Sequence, residues 1–409
     1  MQTRLQIDLK DPGPYERGVP HEAFARLRRE RPVYWNPEAD GAGFWALTRY
    51  EDIVEVSRQP DLFSSAHENG GHRIFNENEV SLANSGESLI GIPFISLDPP
   101  RHQEYRRTLV PGLSSARLTE MEGRIRARVA DLMDRTPLGE PVDLVQALAA
   151  PLPLLTLAEL LGLSPDMWAP LYRWTNAFIG EDDPEFRKDA QEMGQIMQEF
   201  VGWCAALYES RRSQPTDDIA SMLANAVVDS EPMSFRDFLG NMILVLVGGN
   251  ETTRNSISHT VVSLAADPGQ WARLRAEPEA IKVAVREMVR HATPVMHMRR
   301  TAMADTEIRG QAIRKGDKVV LWYASGNRDE ALFPDPDRFD LGRGDIRHIG
   351  FGTGQHVCVG SRLAEMQLRV VFQVLAERVR GFELLATPRR FRSNFINGLK
   401  DVQVRLEPV

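Results

Sequence analysis

The stretch that most limits what this chain can become runs from Ser234 to Ala266, SFRDFLGNMILVLVGGNETTRNSISHTVVSLAA. Ser234, with Asp237 three residues on, has the form of a capped helix start. No proline intervenes before Asp267-Pro268-Gly269. As one helix it would be about 48 Å long at 1.5 Å per residue, enough to cross a whole domain, so a compact chain must be arranged around it. Its middle, MILVLVGG, is apolar all round and predicts burial on every side. Gly248-Gly249-Asn250-Glu251-Thr252-Thr253 makes poor packing in such a place. Glycines weaken a helix, and an acid and two hydroxyls cost burial energy. A kinked core helix with a snorkelling Glu251 would account for the acid and not for the whole cluster. A glycine pair lets a flat group or a small gas molecule approach backbone, and a mid-helix Thr can bond back to the carbonyl four residues earlier.

Length alone, 409 residues, would allow two or three domains. No Ser/Gly/Pro run, charge block or repeat marks a linker, so residues 1–409 are read as a single domain. A hydrophobic content of 42% is ample for its core. The net charge of −8 speaks against nucleic acid as a partner. MQTRLQIDLKDPGPYERG is charged and broken by proline, unlike a signal peptide or membrane anchor. No run approaches the roughly 18 apolar residues of a spanning helix. With two cysteines, Cys204 and Cys358, a disulfide is open by count, but the pattern suits a reducing cytosol and a cytoplasmic protein.

Along the chain, residues 20–32 read as a short helix, VYWNP and GFWALT as a hairpin, and YEDIVEVSRQP as a second helix. Segment 64–96 is long, polar and glycine-rich, which marks a functional lid or a disordered loop. Asp98 reads as the N-cap of a helix with proline in its first turn. His102 and Arg106 on that helix share one face and suit a carboxylate, although solvent-facing cations would have the same spacing. Residues 115–230 are mainly helical, with Trp174 and Phe178 assigned to the core and GEDDPEF to a hinge between helices. PEAIKVAVREMVRHATP is a further helix with Glu287 and Arg290 one turn apart. TEIRGQAIRKGDKVVLWYAS reads as a hairpin or small sheet around Lys315-Gly316-Asp317, and the C-terminus as two short strands around a loop. Helices therefore dominate, with a smaller, segregated β part.

One more stretch carries chemistry: HIGFGTGQHVCVGSRLAEMQLR, residues 348–369. A glycine-punctuated loop presents Cys358 and runs straight into an apolar-periodic helix. Amide N–H groups and the helix dipole both favour a thiolate there. A buried, electropositive thiolate is what haem iron takes as an axial ligand, and thiolate ligation favours O–O cleavage. Phe351-Gly352-Thr353-Gly354-Gln355-His356-Val357-Cys358-Val359-Gly360 resembles the haem-binding loop of the cytochrome P-450 family at every defining position. The resemblance spans nearly the whole chain, with the motifs in the family's order.

It implies the cytochrome P-450 fold and haem b (iron protoporphyrin IX), with Cys358 as the axial metal ligand in a loop at 350–360. Phe351, Gly352 and Gly249 would lie against the haem, and His102, Arg106, Arg300 and His356 would meet its propionates. Arg299, one register away, is easily confused with Arg300. In the oxygen-activating helix, about 234–266, Glu251-Thr252 matches the family's acid–alcohol pair, Thr252 directing protons for O–O cleavage and Glu251 relaying them from solvent. Glu287 and Arg290 match its ExxR motif, with Arg338 in PDPDRFDLGR as the third member of a structural network.

The activity implied is a haem-thiolate monooxygenase that inserts one atom of dioxygen into an unactivated C–H bond. Because no residues remain for a fused flavin or nicotinamide domain, a ferredoxin with its reductase would supply the electrons. Arg106, Arg107, Arg347 and Arg362 would form the docking face. GGNETTRNS, HMRRTA and SNFINGLK are similar to a bacterial branch that hydroxylates terminal or near-terminal carbons of steroid side chains, branched lipids, fatty acids and alkanes. Ile95, Val245, Val295 and Ile396 are the candidate pocket residues, and suit an apolar substrate. A compact terpenoid or aromatic substrate is the alternative within the same chemistry. A non-catalytic haem gas-binding protein is the alternative of another class, against which the acid–alcohol pair argues.

Overall fold

The computed structural model describes residues 7–39, 41–74, 90–180 and 182–409. Most of the proposed lid, 75–89, lies outside the described residues. The principal helices are α1 (His21–Glu30), α2 (Tyr50–Ser57), α3 (Arg101–Leu109), α4 (Ser115–Asp134) and α5 (Pro151–Leu160). They continue with α6 (Trp168–Ile179), α7 (Ala190–Ser213), α8 (Phe235–Ala266), α9 (Ile281–Ala292) and α10 (Ser361–Arg378). Among the described residues no helix is long and apolar enough to cross a membrane.

The long helix forms as one element, with the Ser234 hydroxyl accepting the Asp237 N–H at 3.0 Å. Leu239, Met242, Leu246, Ile257, Val261 and Leu264 join the largest hydrophobic cluster, together with α4 to α7, α9 and α10. Burial is not uniform in its middle, contrary to the apolar pattern. Leu244, Val245 and Val247 are half-buried and Gly248 is exposed. Residues 244, 248 and 252 share a face, because they are spaced by four, and that face is left open. Trp174 and Cys204 are core residues: Trp174 packs on Phe200 and Trp203, and both cysteines are free.

The β part is built from both ends of the chain. Strands β1 (Val33–Asn36), β2 (Phe44–Leu47) and β3 (Phe63–Ser64) come from the N-terminal side, and β5 (Met298–Ala302) and β6 (Lys318–Leu321) from beyond α9. With β4 (Pro141–Asp143) belonging to another sheet, the five-stranded order is β1-β2-β6-β5-β3. Period-two alternation sends Ala46 and Val320 to one hydrophobic cluster and Leu47, Val319 and Leu321 to another. The hairpin expected around Lys315-Gly316-Asp317 turns earlier, at Arg309-Gly310, where both residues adopt positive φ. Lys318–Leu321 instead joins the large sheet. The C-terminus holds four strands rather than two: β7 (Val379–Leu384), β8 (Arg389–Arg390), β9 (Leu399–Asp401) and β10 (Gln403–Pro408).

Two sequence expectations are corrected. Asp98 does not cap α3, which starts at Arg101. Pro99 and Pro100 remove the first two N–H groups after it, and its carboxylate is engaged instead by the Ser65 N–H at 2.7 Å and the Ser64 hydroxyl. The turn at 180–187 is also no free hinge. Asp183 is buried, accepts the Arg392 N–H at 2.8 Å and pairs with Lys400 at 2.8 Å, while Phe186 stacks on Phe391.

The Glu287–Arg290 pair is a double hydrogen bond, at 2.6 and 2.8 Å, in the core behind the cysteine loop. Arg338 is not its third side chain. That residue is exposed and offers only its backbone carbonyl, to Arg290 and Arg343. Arg343 is the arginine that reaches Glu287, at 3.2 Å, because the segment bends back after Arg338 and brings the residue five places on to the carboxylate. Arg343→Ala should therefore lower stability by about 2 kcal/mol, the worth of a charged hydrogen bond. Arg338→Ala should change it by less than about 0.5 kcal/mol. Urea unfolding of the two variants would distinguish them, and equal losses would restore Arg338 to the network.

Candidate active site

The loop 350–360 is pressed against helices on two sides. A Cβ on Gly350 would lie 2.8 Å from Val289 of α9. One on Gly354, which adopts φ +69°, would run into the carbonyl oxygen of Ser57 at the end of α2. The loop closes on itself through the Cys358 N–H to the Phe351 carbonyl at 2.9 Å, and α10 begins three residues after the thiol. Cys358 is exposed at the surface of the loop. Burial pushes its thiol up, while the Gly360 N–H and the Arg106 guanidinium act in the opposite direction. Phe351 packs against the main core and His348. Gly352 lies near the Tyr323 hydroxyl.

Basic side chains gather beside the thiol. His102 and His356 face each other with ring centroids 4.1 Å apart. Burial holds His102 down to about 4, aided by Arg106 and Arg300. His356 is held well below its ordinary value by burial, then by Arg300 and His102. Across β5 and β6 Arg300 stands opposite Val319 and Arg299 opposite Val320, so the two arginines point to opposite faces of the sheet. Arg300 takes the face of Tyr323, to which it is hydrogen-bonded, and of the two histidines. Of the two neighbouring arginines, Arg300 is therefore the one on the side of the histidines. Tyr323 had no sequence signal, since it stands outside every motif and joins the site only through the sheet.

Both ring nitrogens of His102 and Nε2 of His356 are buried without a hydrogen-bond partner among the described residues. Asp98, the acid nearby, is engaged with Ser64 and Ser65. Two histidines and two arginines around unmet donors form a receptor for carboxylates. A thiol on the floor and carboxylate receptors at the rim fit a haem with its two propionates.

On the open face of α8, Thr252 donates its hydroxyl to the Gly248 carbonyl at 2.8 Å. Space on this face comes from Gly248, where a Cβ would meet nothing within 4 Å. Gly249, expected against the cofactor, packs instead on α5, where a Cβ would sit 3.3 Å from Leu157. The reason is helical phase: 248 and 252 are one turn apart and 249 is turned 100° away. Glu251 is fully buried, paired with Arg254 at 2.6 Å, and accepts from Asn250 at 3.3 Å. Burial raises its pKa and Arg254 opposes the rise.

Of the pocket candidates, Val295 and Ile396 are brought together as antiparallel bridge partners. Val245 is half-buried on α8 and Ile95 lies in the turn Phe94–Ser96, whose Phe94 N–H is held by Asn241 of α8 at 2.9 Å. His72 is bonded to Ser96 at 2.6 Å, and Arg73 lies over Phe395.

The family model for cytochrome P-450 matches residues 156–398 of this chain, which include α8, the ExxR helix and the cysteine loop. The chain belongs to the cytochrome P-450 family. It is 66% identical to the linalool 8-monooxygenase of Pseudomonas putida over 98% of this chain and 99% of that one. It is 38% identical to the methyl-branched lipid omega-hydroxylase of Mycobacterium bovis over 93% of this chain and 90% of that protein. Among solved structures it resembles a Mycobacterium marinum cytochrome P-450 in complex with pseudoionone, with a TM-score of 0.89, 33% identity and coverage of 99% and 100%. As a P-450 it is a haem b monooxygenase that needs dioxygen, an organic substrate and a redox partner.

Cys358→His should abolish the thiolate-type Soret shift of the reduced carbonyl complex; a variant that kept it would remove Cys358 from the axial position. Arg300→Leu should release haem to an acceptor globin about tenfold faster or more, the loss of one charged hydrogen bond. An unchanged rate would take Arg300 out of the carboxylate receptor.

Proposed function

We propose that this P-450 hydroxylates a terminal methyl carbon of a short, acyclic, methyl-branched terpene alcohol of linalool's class. The observation that carries this reading is 66% identity, over nearly all of both chains, to a linalool 8-monooxygenase. Carbon 8 of linalool is a chain-terminal methyl, and the omega carbon named for the 38% relative is also terminal. The terminal-carbon reading of the sequence and its terpenoid alternative thus meet in one substrate class. The aliphatic character of Ile95, Val245, Val295 and Ile396 agrees with an apolar chain.

Haem, when bound, supplies dioxygen activation and oxygen insertion. The chain's own work is to hold and to protonate. Cys358 would ligate the haem iron, with the Gly360 N–H, the Arg106 guanidinium and the start of α10 opposing the burial that pushes its thiol up. His102, Arg106, His356 and Arg300 would hold the propionates. Thr252, on the open face beside Gly248, would hold and pass on a proton at its hydroxyl. Glu251, one residue before it and sealed in the core, is the reservoir behind it. Electrons arrive singly from a ferredoxin served by its reductase. Arg107, Arg347 and Arg362 are exposed and suit an acidic partner, whereas Arg106 acts on Cys358 and is taken out of the docking face.

Titration of the ferric protein with linalool, a methyl-branched fatty acid, an n-alkane, a steroid ketone and an aromatic acid tests the substrate. A high-spin Soret shift with linalool, at about tenfold lower concentration than with any other member, is expected. A shift confined to the long chains or the steroid would replace the terpene alcohol. Thr252→Ala should keep haem binding and reduction while diverting electrons to hydrogen peroxide, with product per electron pair down about tenfold or more. Wild-type coupling in this variant would end the role given to Thr252.

A further inference from the structure

Asn250, Arg254 and Asn255 are polar residues of α8 that proton delivery by Thr252 and Glu251 does not by itself require. All three are buried, and all three meet at Glu251. Arg254 Nη2 lies 2.6 Å from Oε2, Asn250 Nδ2 donates to Oε1 at 3.3 Å, and Asn255 Nδ2 donates to the Glu251 carbonyl at 2.8 Å. Asn255 is itself fixed by accepting the Leu399 N–H at 2.9 Å. Arg254 is fixed from outside its helix. Its Nη1 donates to Asn176 of α6 at 3.2 Å, and its guanidinium lies 5.4 Å from the centre of the Phe391 ring.

We propose that Arg254 is a positioning residue for proton delivery, holding the Glu251 carboxyl in one place and tying it to α6 and to the segment around Phe391. The proposal rests on the assignment of Glu251 as proton reservoir. Stability alone does not explain the pair, since a buried ion pair is often no better than apolar side chains of the same volume. It brackets Thr252, in a buried stretch of the helix where every residue from Asn250 to Ser256 is polar.

The electrostatics are simple enough to give a sign. Burial favours the neutral carboxyl of Glu251, and Arg254 is the charged group that opposes it, helped by Asn255. Charged residues on the surrounding elements are engaged elsewhere. Glu159 of α5 faces Arg124 and Arg128, Glu199 of α7 faces Arg173, and Glu287 and Arg290 of α9 face each other. On α10 Arg369 pairs with Glu122, and Asp183 pairs with Lys400 of β9. Arg390 of β8 donates to Asn397. Removing the Arg254 cation therefore raises the pH at which Glu251 loses its proton, and restoring a cation lowers it again.

The test is an infrared titration of the resting, haem-loaded protein, following the carboxyl band identified by its disappearance in Glu251→Gln. In Arg254→Gln the midpoint should move upward by about one to three pH units. Arg254→Lys should return it to within about one unit of wild type. Asn176→Asp, which keeps Arg254 but offers it a competing carboxylate, should also move it upward, and decides the matter if Arg254→Gln does not fold. The pH profile of product per electron pair should shift in the same direction as the midpoint. Unmoved midpoints in Arg254→Gln and Asn176→Asp would overturn the proposal while leaving Glu251 its role. Wild-type coupling in Glu251→Gln would instead overturn the reservoir assignment on which the proposal rests.

Discussion

The active site depends on how closely the 350–360 loop is pressed against its supports. At Gly350 and Gly354 neighbouring protein occupies the space where side chains would stand, α9 in one case and the backbone at the end of α2 in the other. A loop held in this way has little freedom to relax, so the position of Cys358 follows from the positions of the helices. The Glu287–Arg290–Arg343 network fixes α9 against the segment that leads into the loop. Thiol geometry is thus inherited from the core rather than set by the loop alone.

Around that thiol the protein gathers two arginines and two neutral histidines. Burial lowers the proton affinity of Arg106, Arg300, His102 and His356, and the two arginines lower it further at the two histidines. Such a cluster is costly by itself and becomes favourable when carboxylates enter it. Ligand and fold are then linked: a group that binds only the folded chain stabilises it by mass action. Neutral histidines are also well suited to the task, because they donate to a carboxylate without adding to the repulsion between the two arginines.

The long helix resolves a second conflict. Its ends are packed as core, while its middle carries hydroxyl, carboxyl and amide groups. The cost of burying them is contained by local bonds: Thr252 to Gly248, Ser256 to Thr252 and Thr260 to Ser256, each reaching back four residues. Glu251 and Arg254 neutralise each other one turn apart. The helix therefore remains continuous while one face is open for chemistry and the adjoining side, turned about 100° from Thr252, carries a sealed acid.

Much of this was legible from residues alone. The span of α8, its Ser234 cap, the cysteine loop and the acid–alcohol pair follow from local periodicity, glycine placement and residue type, which act over a few residues and leave their mark in order along the chain. Long-range geometry left no such mark. That Arg343 and not Arg338 meets Glu287 depends on how an irregular segment bends. That Gly248 opens the site while Gly249 admits Leu157 depends on the rotational phase of α8 against α5. Tyr323 enters the site, and Arg300 is separated from Arg299, only because β5 and β6 pair in one register. The sequence by itself determined which chemical groups the protein possesses and which helices and strands carry them, because those properties are local. Tertiary structure alone decided which of those groups face one another, because pairing across the fold is set by packing between segments far apart in the chain.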